Sequence, residues 1–265
     1  MFRAASLDQV RRRYPDFDGP LFVHTLQAHI VDKVVEPRLE RYLPEGGVAV
    51  DLGCGAGTTT RRMARLARTA VGVDVNPASF PKHPDLTIVS RDAAGLHERE
   101  GGFLVETSLD DVPLASGSVD YVTSRWVFEH LEDPAGAVRE IRRLLKPGGI
   151  ALIIVPNRLH PGILLSSLLP LRVKQWALGA TSRVQDDLVM PTYYRVNTER
   201  ALRSAFELKG FSTVEVVHVA DPSYWLFSRS LFELATTLGR LATRLPLARF
   251  RMHMVGVFRR GAGDP

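Results

Sequence analysis

The chain has a single cysteine, Cys54, in 265 residues. An internal disulfide is therefore excluded, and that usage is compatible with a reducing compartment. Long apolar runs are also missing. No stretch reaches the roughly 18 uninterrupted apolar residues of a membrane span. The nearest, Leu159 to Leu171, is broken by His160, Pro161 and Pro170. The first residues, Met1-Phe2-Arg3-Ala4-Ala5-Ser6, lead into Arg11-Arg12-Arg13 without an apolar run resembling a signal peptide, so a soluble, cytoplasmic protein is expected. The histidines are scattered and Cys54 stands alone, so no metal-ligand spacing is present and no metal is expected.

Charge is plentiful but not concentrated. A net charge of +5 and a pI near 9.6 invite a nucleic-acid reading. The arginines argue against it. Arg61, Arg62, Arg65 and Arg68 fall along one predicted helix, and Arg139, Arg142 and Arg143 along another. Such spacing describes solvated helix faces, so no nucleic-acid partner is expected. The hydrophobic share, 45%, is enough for a sizeable core and argues against disorder.

Apolar residues at helical spacing, Leu21, Phe22, Leu26, Ile30, Val34, Leu39 and Leu43, predict a helical segment over 21–43 that Pro37 kinks or divides. Val48–Leu52 then reads as a buried parallel strand. Glycines follow at 53, 55 and 57, and Thr58, Thr59 or Thr60 can cap a helix running to about Arg68. Ala70–Asp74 reads as the next strand. Strand, Gly-rich turn, helix, strand is a βαβ unit with a right-handed crossover. Further strands are predicted at Phe103–Glu106, Val119–Ser124, Gly149–Pro156, Val214–Val219 and Met252–Phe258. An amphipathic helix is predicted at Ala135–Lys146, stopped by Pro147-Gly148-Gly149, and another at Thr198–Gly210. Residues 78–102, 157–197 and 220–250 do not fit a minimal alternating plan, and substrate selectivity is expected there.

The loop after the first strand carries the strongest chemical signal. Glycines at alternate positions let the backbone pass close to a ligand and turn sharply into a helix. Dinucleotide dehydrogenases use a Gly-rich loop too, but with G-x-G-x-x-G spacing. Gly53-x-Gly55-x-Gly57 departs from that pattern and lacks the Gly-Lys-Ser/Thr ending of a P-loop. Asp74, at the end of the second strand, can accept hydrogen bonds from both hydroxyls of an adenosine ribose.

Val48-Ala49-Val50-Asp51-Leu52-Gly53-Cys54-Gly55-Ala56-Gly57 closely resembles the first motif of class I S-adenosylmethionine-dependent methyltransferases, small-molecule (methyltransferase type 11-like) branch. Val71–Asp74 resembles the acidic strand that follows. Leu109–Asp120 resembles the family's "LPF-x-x-x-SFD" segment, Val127-Phe128-Glu129-His130-Leu131 its "V-L-E-H-L" segment, and Arg139–Gly149 its helix and turn before the fifth strand. The resemblance covers about residues 46–157. It implies an α/β fold, a doubly wound Rossmann-like three-layer sandwich with a seven-stranded, mostly parallel sheet and one antiparallel strand near the C-terminus. Residues 1–45 would form a helical cap on a domain of residues 46–265, with insertions at about 157–197 and 220–250 covering the site.

The resemblance also implies roles. Backbone at Gly53, Gly55 and Gly57 would approach the methionine part of S-adenosylmethionine, with Asp51 organising that end. Asp74 would hold the ribose and Val75 pack beside the adenine. Ser108 and Leu109 would border the adenine edge, although the family often has aspartate where Ser108 stands, and Asp92 is a rival. Arg125 would lie beside the cofactor. Methyl transfer is an in-line displacement, and a base helps when the nucleophile is a hydroxyl or protonated amine. His130 and His160 are the candidate bases, each weighed against a structural histidine; Glu129 is assigned a structural or cofactor-side role.

The expected reaction is methyl transfer to oxygen or nitrogen, less readily carbon, of a small-molecule acceptor: a sugar, natural product, quinone or lipid. S-adenosylhomocysteine is the product. A non-catalytic regulatory or assembly protein that binds the cofactor, and a nicotinamide-dependent reductase, are the alternatives. Tyr193-Tyr194-Arg195-x-Asn197 either lines the acceptor pocket or leads into the next helix with Asn197 or Thr198 as cap. Leu231, Leu234, Leu238, Leu241 and Leu245 with Arg229, Arg240 and Arg244 predict an amphipathic basic helix over about 225–245. It suits packing on the sheet or forming a lid, a peripheral membrane or lipid-substrate contact, or a dimer contact.

Overall fold

A computed structural model describes residues 32–76, 80, 85–93, 95–167, 191–221, 237 and 246–263. The leucine-repeat helix, apart from residue 237, lies outside the described residues, as do Arg11–Arg13 and much of the 157–197 stretch. Among the described residues no helix is long and apolar enough to cross a membrane.

Among the described residues eight strands form one sheet. They are β1 (Val48–Leu52), β2 (Thr69–Asp74), β3 (Thr87–Val89), β4 (Gly101–Glu106), β5 (Val119–Arg125), β6 (Leu145–Pro156), β7 (Phe211–Val219) and β8 (His253–Arg260). Their spatial order is β3-β4-β2-β1-β5-β6-β8-β7. β1 pairs in parallel with β2 and β5, β2 and β3 each with β4, and β5 with β6. All five residues of β1 are buried, as a parallel strand covered on both faces requires. The Gly261 N–H donates to the Gly210 carbonyl (3.0 Å), so the end of β8 meets the start of β7 and this pair runs antiparallel.

The sequence predicts seven strands, and the eighth is β3. It has three residues, pairs only at the sheet edge, and exposes Thr87 and Ile88. A strand so short and open carries no readable alternation. Three helix boundaries also differ. The helix at residues 32–42 (α1) is not divided at Pro37; Val35 and Leu39, buried on either side of it, hold both turns in place. The next helix, α2 (Thr58–Met63), stops well before Arg68, and its cap is left-handed Gly57 rather than a threonine hydroxyl. After α3 (Pro134–Leu144), β6 begins at once. Val119 pairs with Leu145 and Tyr121 with Ile150, so Lys146–Gly149 sits inside the strand as an irregularity between two paired positions.

Helices cover both faces. On β2, Gly72 faces Thr60 of α2 and Leu104 of β4, while Val71 and Val73 belong to the larger core on the other face. That core takes Ala137, Val138, Ile141 and Leu144 of α3, spaced by three and four residues. Asp133 starts α3 by accepting the Ala135 N–H (3.0 Å), with Pro134 in the first turn. α5 (Glu199–Glu207) adds Leu202 and Phe206 to the same core; Thr198, not Asn197, caps it by accepting the Ala201 N–H (3.3 Å).

By contact the chain divides into two compact units. One comprises residues 36–156, 192–217 and 254–265, and holds the Gly-rich loop. The other comprises residues 1–35, 157–191 and 218–253. In the second unit Asn157, fully buried, donates to the carbonyls of Arg249 (2.7 Å) and Arg251 (2.8 Å) and accepts the Leu159 N–H (3.0 Å). One amide thus joins the residues leaving β6 to those approaching β8.

In the first unit Phe206 is the hub of an aromatic cluster. It stacks on Phe258 (centroids 4.1 Å apart, 7° between planes) and meets Phe211 edge-on at 5.2 Å. Phe206→Ala is expected to destabilise the protein by about 3–5 kcal/mol. Urea unfolding checks this through the midpoint at unchanged slope; a loss below about 1 kcal/mol would contradict the packing described.

Candidate cofactor site

The parallel pairing sets the site. Leu52 of β1 is level with Val73 of β2 and Ser124 of β5, so three strands end together at one edge of the sheet. The Ser124 hydroxyl donates to the Leu52 carbonyl (3.0 Å) and locks two of those ends. The loop leaving β1 then folds back on β2: the N–H groups of Gly53 (2.8 Å) and Cys54 (3.0 Å) both donate to the Val73 carbonyl. Gly53 has φ +71°, and a Cβ there would lie 2.3 Å from Val127 Cγ2. Any side chain at 53 would push the turn after β5 off the loop. Gly55 is different. It too is left-handed, but nothing lies within 4 Å of where its Cβ would be. At Gly55 the loop faces open space, which a bound group can fill.

Asp74 links this loop to the end of β2. Its Oδ2 accepts the Gly55 N–H (2.8 Å) and its Oδ1 the Asn76 N–H (2.9 Å). A carboxylate has about four acceptor positions, and these bonds use two, so two donors such as a pair of ribose hydroxyls can still be held. Val75, next in the chain, is 59% exposed, a large apolar surface beside that carboxylate. Thr107 donates its N–H to the Asp74 carbonyl (3.0 Å), which brings Ser108 and Leu109 alongside. Leu109 packs against the core, and exposed Ser108 donates its hydroxyl to Asp110. Asp92 lies in an exposed turn beyond β3, and an ion pair between Arg91 and Asp111 ties that turn to the 108–111 loop. The two rivals for the adenine edge therefore sit on tethered loops.

Beneath the loop lies a buried acid. Asp51 is 2% exposed, and its Oδ2 accepts the Thr60 hydroxyl (3.0 Å). Burial pushes its pKa up to about 6; Arg125 and the Thr60 hydroxyl and N–H pull the other way. Arg125 donates from Nη1 to Thr59 Oγ1 (2.9 Å) and lies over the Trp126 ring (5.1 Å). Burial raises the Cys54 thiol as well, with Asp51 and Asp74 adding to it, so this cysteine is not a thiolate nucleophile.

Asp51, Gly53, Gly55, Gly57, Asp74, Val75, Ser108, Leu109 and Arg125 all lie in one unit, along the edge where β1, β2 and β5 end. His130 is in this unit too, in the 3-10 turn Phe128–His130. His160 is in the other. It starts α4 (Pro161–Ser167) by accepting the Leu164 N–H (2.9 Å); its buried Nδ1 has no hydrogen-bond partner among the described residues, and burial lowers its pKa.

Some residues escape the sequence reading. Thr59 and Thr60 hold Arg125 and Asp51, yet they read there only as possible caps. Three threonines in one helical turn, where capping needs one, are the available signal. The buried pair of His253 and Asp221 (2.9 Å) has no signal, because 32 residues and no motif separate the partners.

Residues 50–153 match the family described as methyltransferase domain. Over this stretch the chain is similar to that family. A dimethylglycine N-methyltransferase of Parasynechococcus marenigrum is 32% identical over 184 residues, 62% of this chain and 62% of that protein. A ubiquinone biosynthesis O-methyltransferase of Xanthomonas axonopodis pv. citri is 33% identical over 165 residues, 59% of this chain and 63% of that protein. The match thus spans less than two thirds of either relative. In fold, the chain resembles an S-adenosylmethionine dependent methyltransferase from Mesorhizobium loti, with a TM-score of 0.53 and 20% identity, covering 84% of this chain and 96% of that one.

The raised Asp51 pKa gives a sign for stability. Folding favours its protonated form, so Asp51 costs nothing below its ordinary value of 3.8 and costs progressively more as pH rises through about 6. Asp51→Asn should stabilise the ligand-free protein by an amount that is near zero at low pH, grows across that window and levels off above it, on the order of 3 kcal/mol at most. Thermal unfolding from about pH 4 to about pH 8 checks this; a difference independent of pH would contradict it.

Proposed function

We propose that the chain transfers a methyl group from S-adenosylmethionine to an oxygen or nitrogen of a small-molecule acceptor. The observation that carries this reading is Asp74: a carboxylate at the end of β2, anchored to the Gly-rich loop, with acceptor positions to spare and exposed Val75 beside it. When bound, the cofactor supplies a methyl carbon on a positively charged sulfur. The chain's residues bind and orient. Asp74 takes the ribose hydroxyls, Val75 packs on the adenine, Ser108 and Leu109 border its edge, and the backbone of Gly53–Gly57 runs along the methionine end. Arg125, held by Thr59 and Trp126, keeps Asp51 in place under the loop.

The acceptor is a small molecule carrying a hydroxyl or amine: a sugar, natural product, quinone or lipid. The two relatives, one named for an N-methylation and one for an O-methylation, support both heteroatoms. A cytoplasmic location is part of the same proposal and rests on the single cysteine and the absence of a long apolar run.

Two measurements test this. In calorimetric titration the wild type should bind S-adenosylhomocysteine, and Asp74→Ala should weaken that binding about 100-fold, the loss of two hydrogen bonds to a charged group. Label from methyl-tritiated S-adenosylmethionine should then enter at least one of dimethylglycine, a catechol acid, a sugar and an isoprenoid quinol. Binding without transfer to any acceptor would favour a regulatory or assembly protein, and binding of NADPH instead would favour a reductase.

A further inference from the structure

Glu129 is buried, 5% exposed, in the turn that follows β5. Its Oε2 has no hydrogen-bond partner among the described residues. A buried carboxyl oxygen without a donor costs free energy that folding alone does not repay. Three features distinguish the turn that carries it, which lies beside the cofactor loop. Val127, two residues earlier, touches Gly53 of the cofactor loop. Two non-glycine residues in left-handed backbone flank it, Trp126 (φ 55°) before it and Tyr194 (φ 52°) across from it. Finally, the Glu129 carbonyl receives the N–H groups of both Tyr193 (2.7 Å) and Tyr194 (3.3 Å), which fastens the Tyr-Tyr-Arg segment onto the turn. Backbone strain of this kind persists where the surroundings hold it in place for a task.

We propose that Glu129 is the acceptor-recognition residue of the methyl-transfer site, its carboxylate holding an O–H or N–H donor group of the incoming acceptor beside the methyl carbon. This deepens the function proposed above and rests on it. The role differs from the structural or cofactor-side one expected from sequence. Burial pushes the pKa of Glu129 up to about 8, and its own backbone N–H opposes that shift. The titratable group facing it from the 191–198 segment is the Tyr194 phenol, whose own pKa Glu129 helps to raise. His130 follows it on its own turn, and Arg125 precedes it at the end of β5. A carboxyl in this state prefers a donor that brings positive charge, so an ammonium should be held more tightly than a neutral group of the same shape.

Sinefungin provides a test that needs no acceptor. It carries a protonated amine where S-adenosylmethionine carries its methyl group, whereas S-adenosylhomocysteine carries nothing there. The wild type should bind sinefungin about tenfold or more tighter than S-adenosylhomocysteine, and this preference should grow from about pH 6.5 to about pH 8.5 as Glu129 ionises. In Glu129→Gln the ratio should fall toward one and lose its pH dependence, with S-adenosylhomocysteine affinity within about twofold of wild type. Equal ratios in both proteins, or equal loss of both ligands in the variant, would overturn the proposal. Should the variant fail to fold, a wild-type preference that is flat across the pH range overturns it alone. A wild type that binds neither ligand overturns the cofactor reading beneath it.

Discussion

A single hydrogen bond, from the Gly55 N–H to the Asp74 carboxylate, ties together the parts on which this site depends. It joins the loop leaving β1 to the end of β2, and it exists because the two strands run parallel and stop at the same level. Parallel strands end their chains at one edge of a sheet, where backbone groups are no longer used by the ladder. The Val73 carbonyl takes two loop N–H groups, and Asp74 takes a third. The loop is thereby bent with its Gly55 face open. Everything placed around it, Val75, Thr107 with Ser108, and Val127, takes its position from that edge.

Much of this is legible in the sequence because it is local. A buried strand of four apolar residues and one acid, three alternate glycines and a second acid at the end of the next strand lie within 27 consecutive positions, and each motif folds largely by contact with its neighbours. The central strands and the helix from Pro134 follow for the same reason. What is not legible depends on distance or on a deficit of signal. β3 is too short and too exposed to show a pattern. The Lys-Pro-Gly-Gly segment looks like a turn, yet pairing on either side of it draws it into β6. Thr60 looks like a cap until the buried carboxylate above it is seen.

The same region holds the acids that folding disfavours. Asp51 and Glu129 are both buried, and burial raises both pKa values. A fold chosen for stability alone would put apolar groups at these positions. Their clustering along one edge of one unit, around a loop with open space, is the pattern of a site that spends stability on binding. The aromatic cluster around Phe206 and the packed face of α3 supply the compensation on the covered side of the sheet.

The central claim is that the Gly55–Asp74 edge receives the adenosine of S-adenosylmethionine. A crystal structure of the protein with S-adenosylhomocysteine tests it most directly. The account predicts both ribose hydroxyls within hydrogen-bond distance of the Asp74 carboxylate, adenine against Val75, and the amino-acid end along Gly53–Gly57. A nucleoside seated elsewhere, with Asp74 bonded only to Gly55 and Asn76, would contradict it.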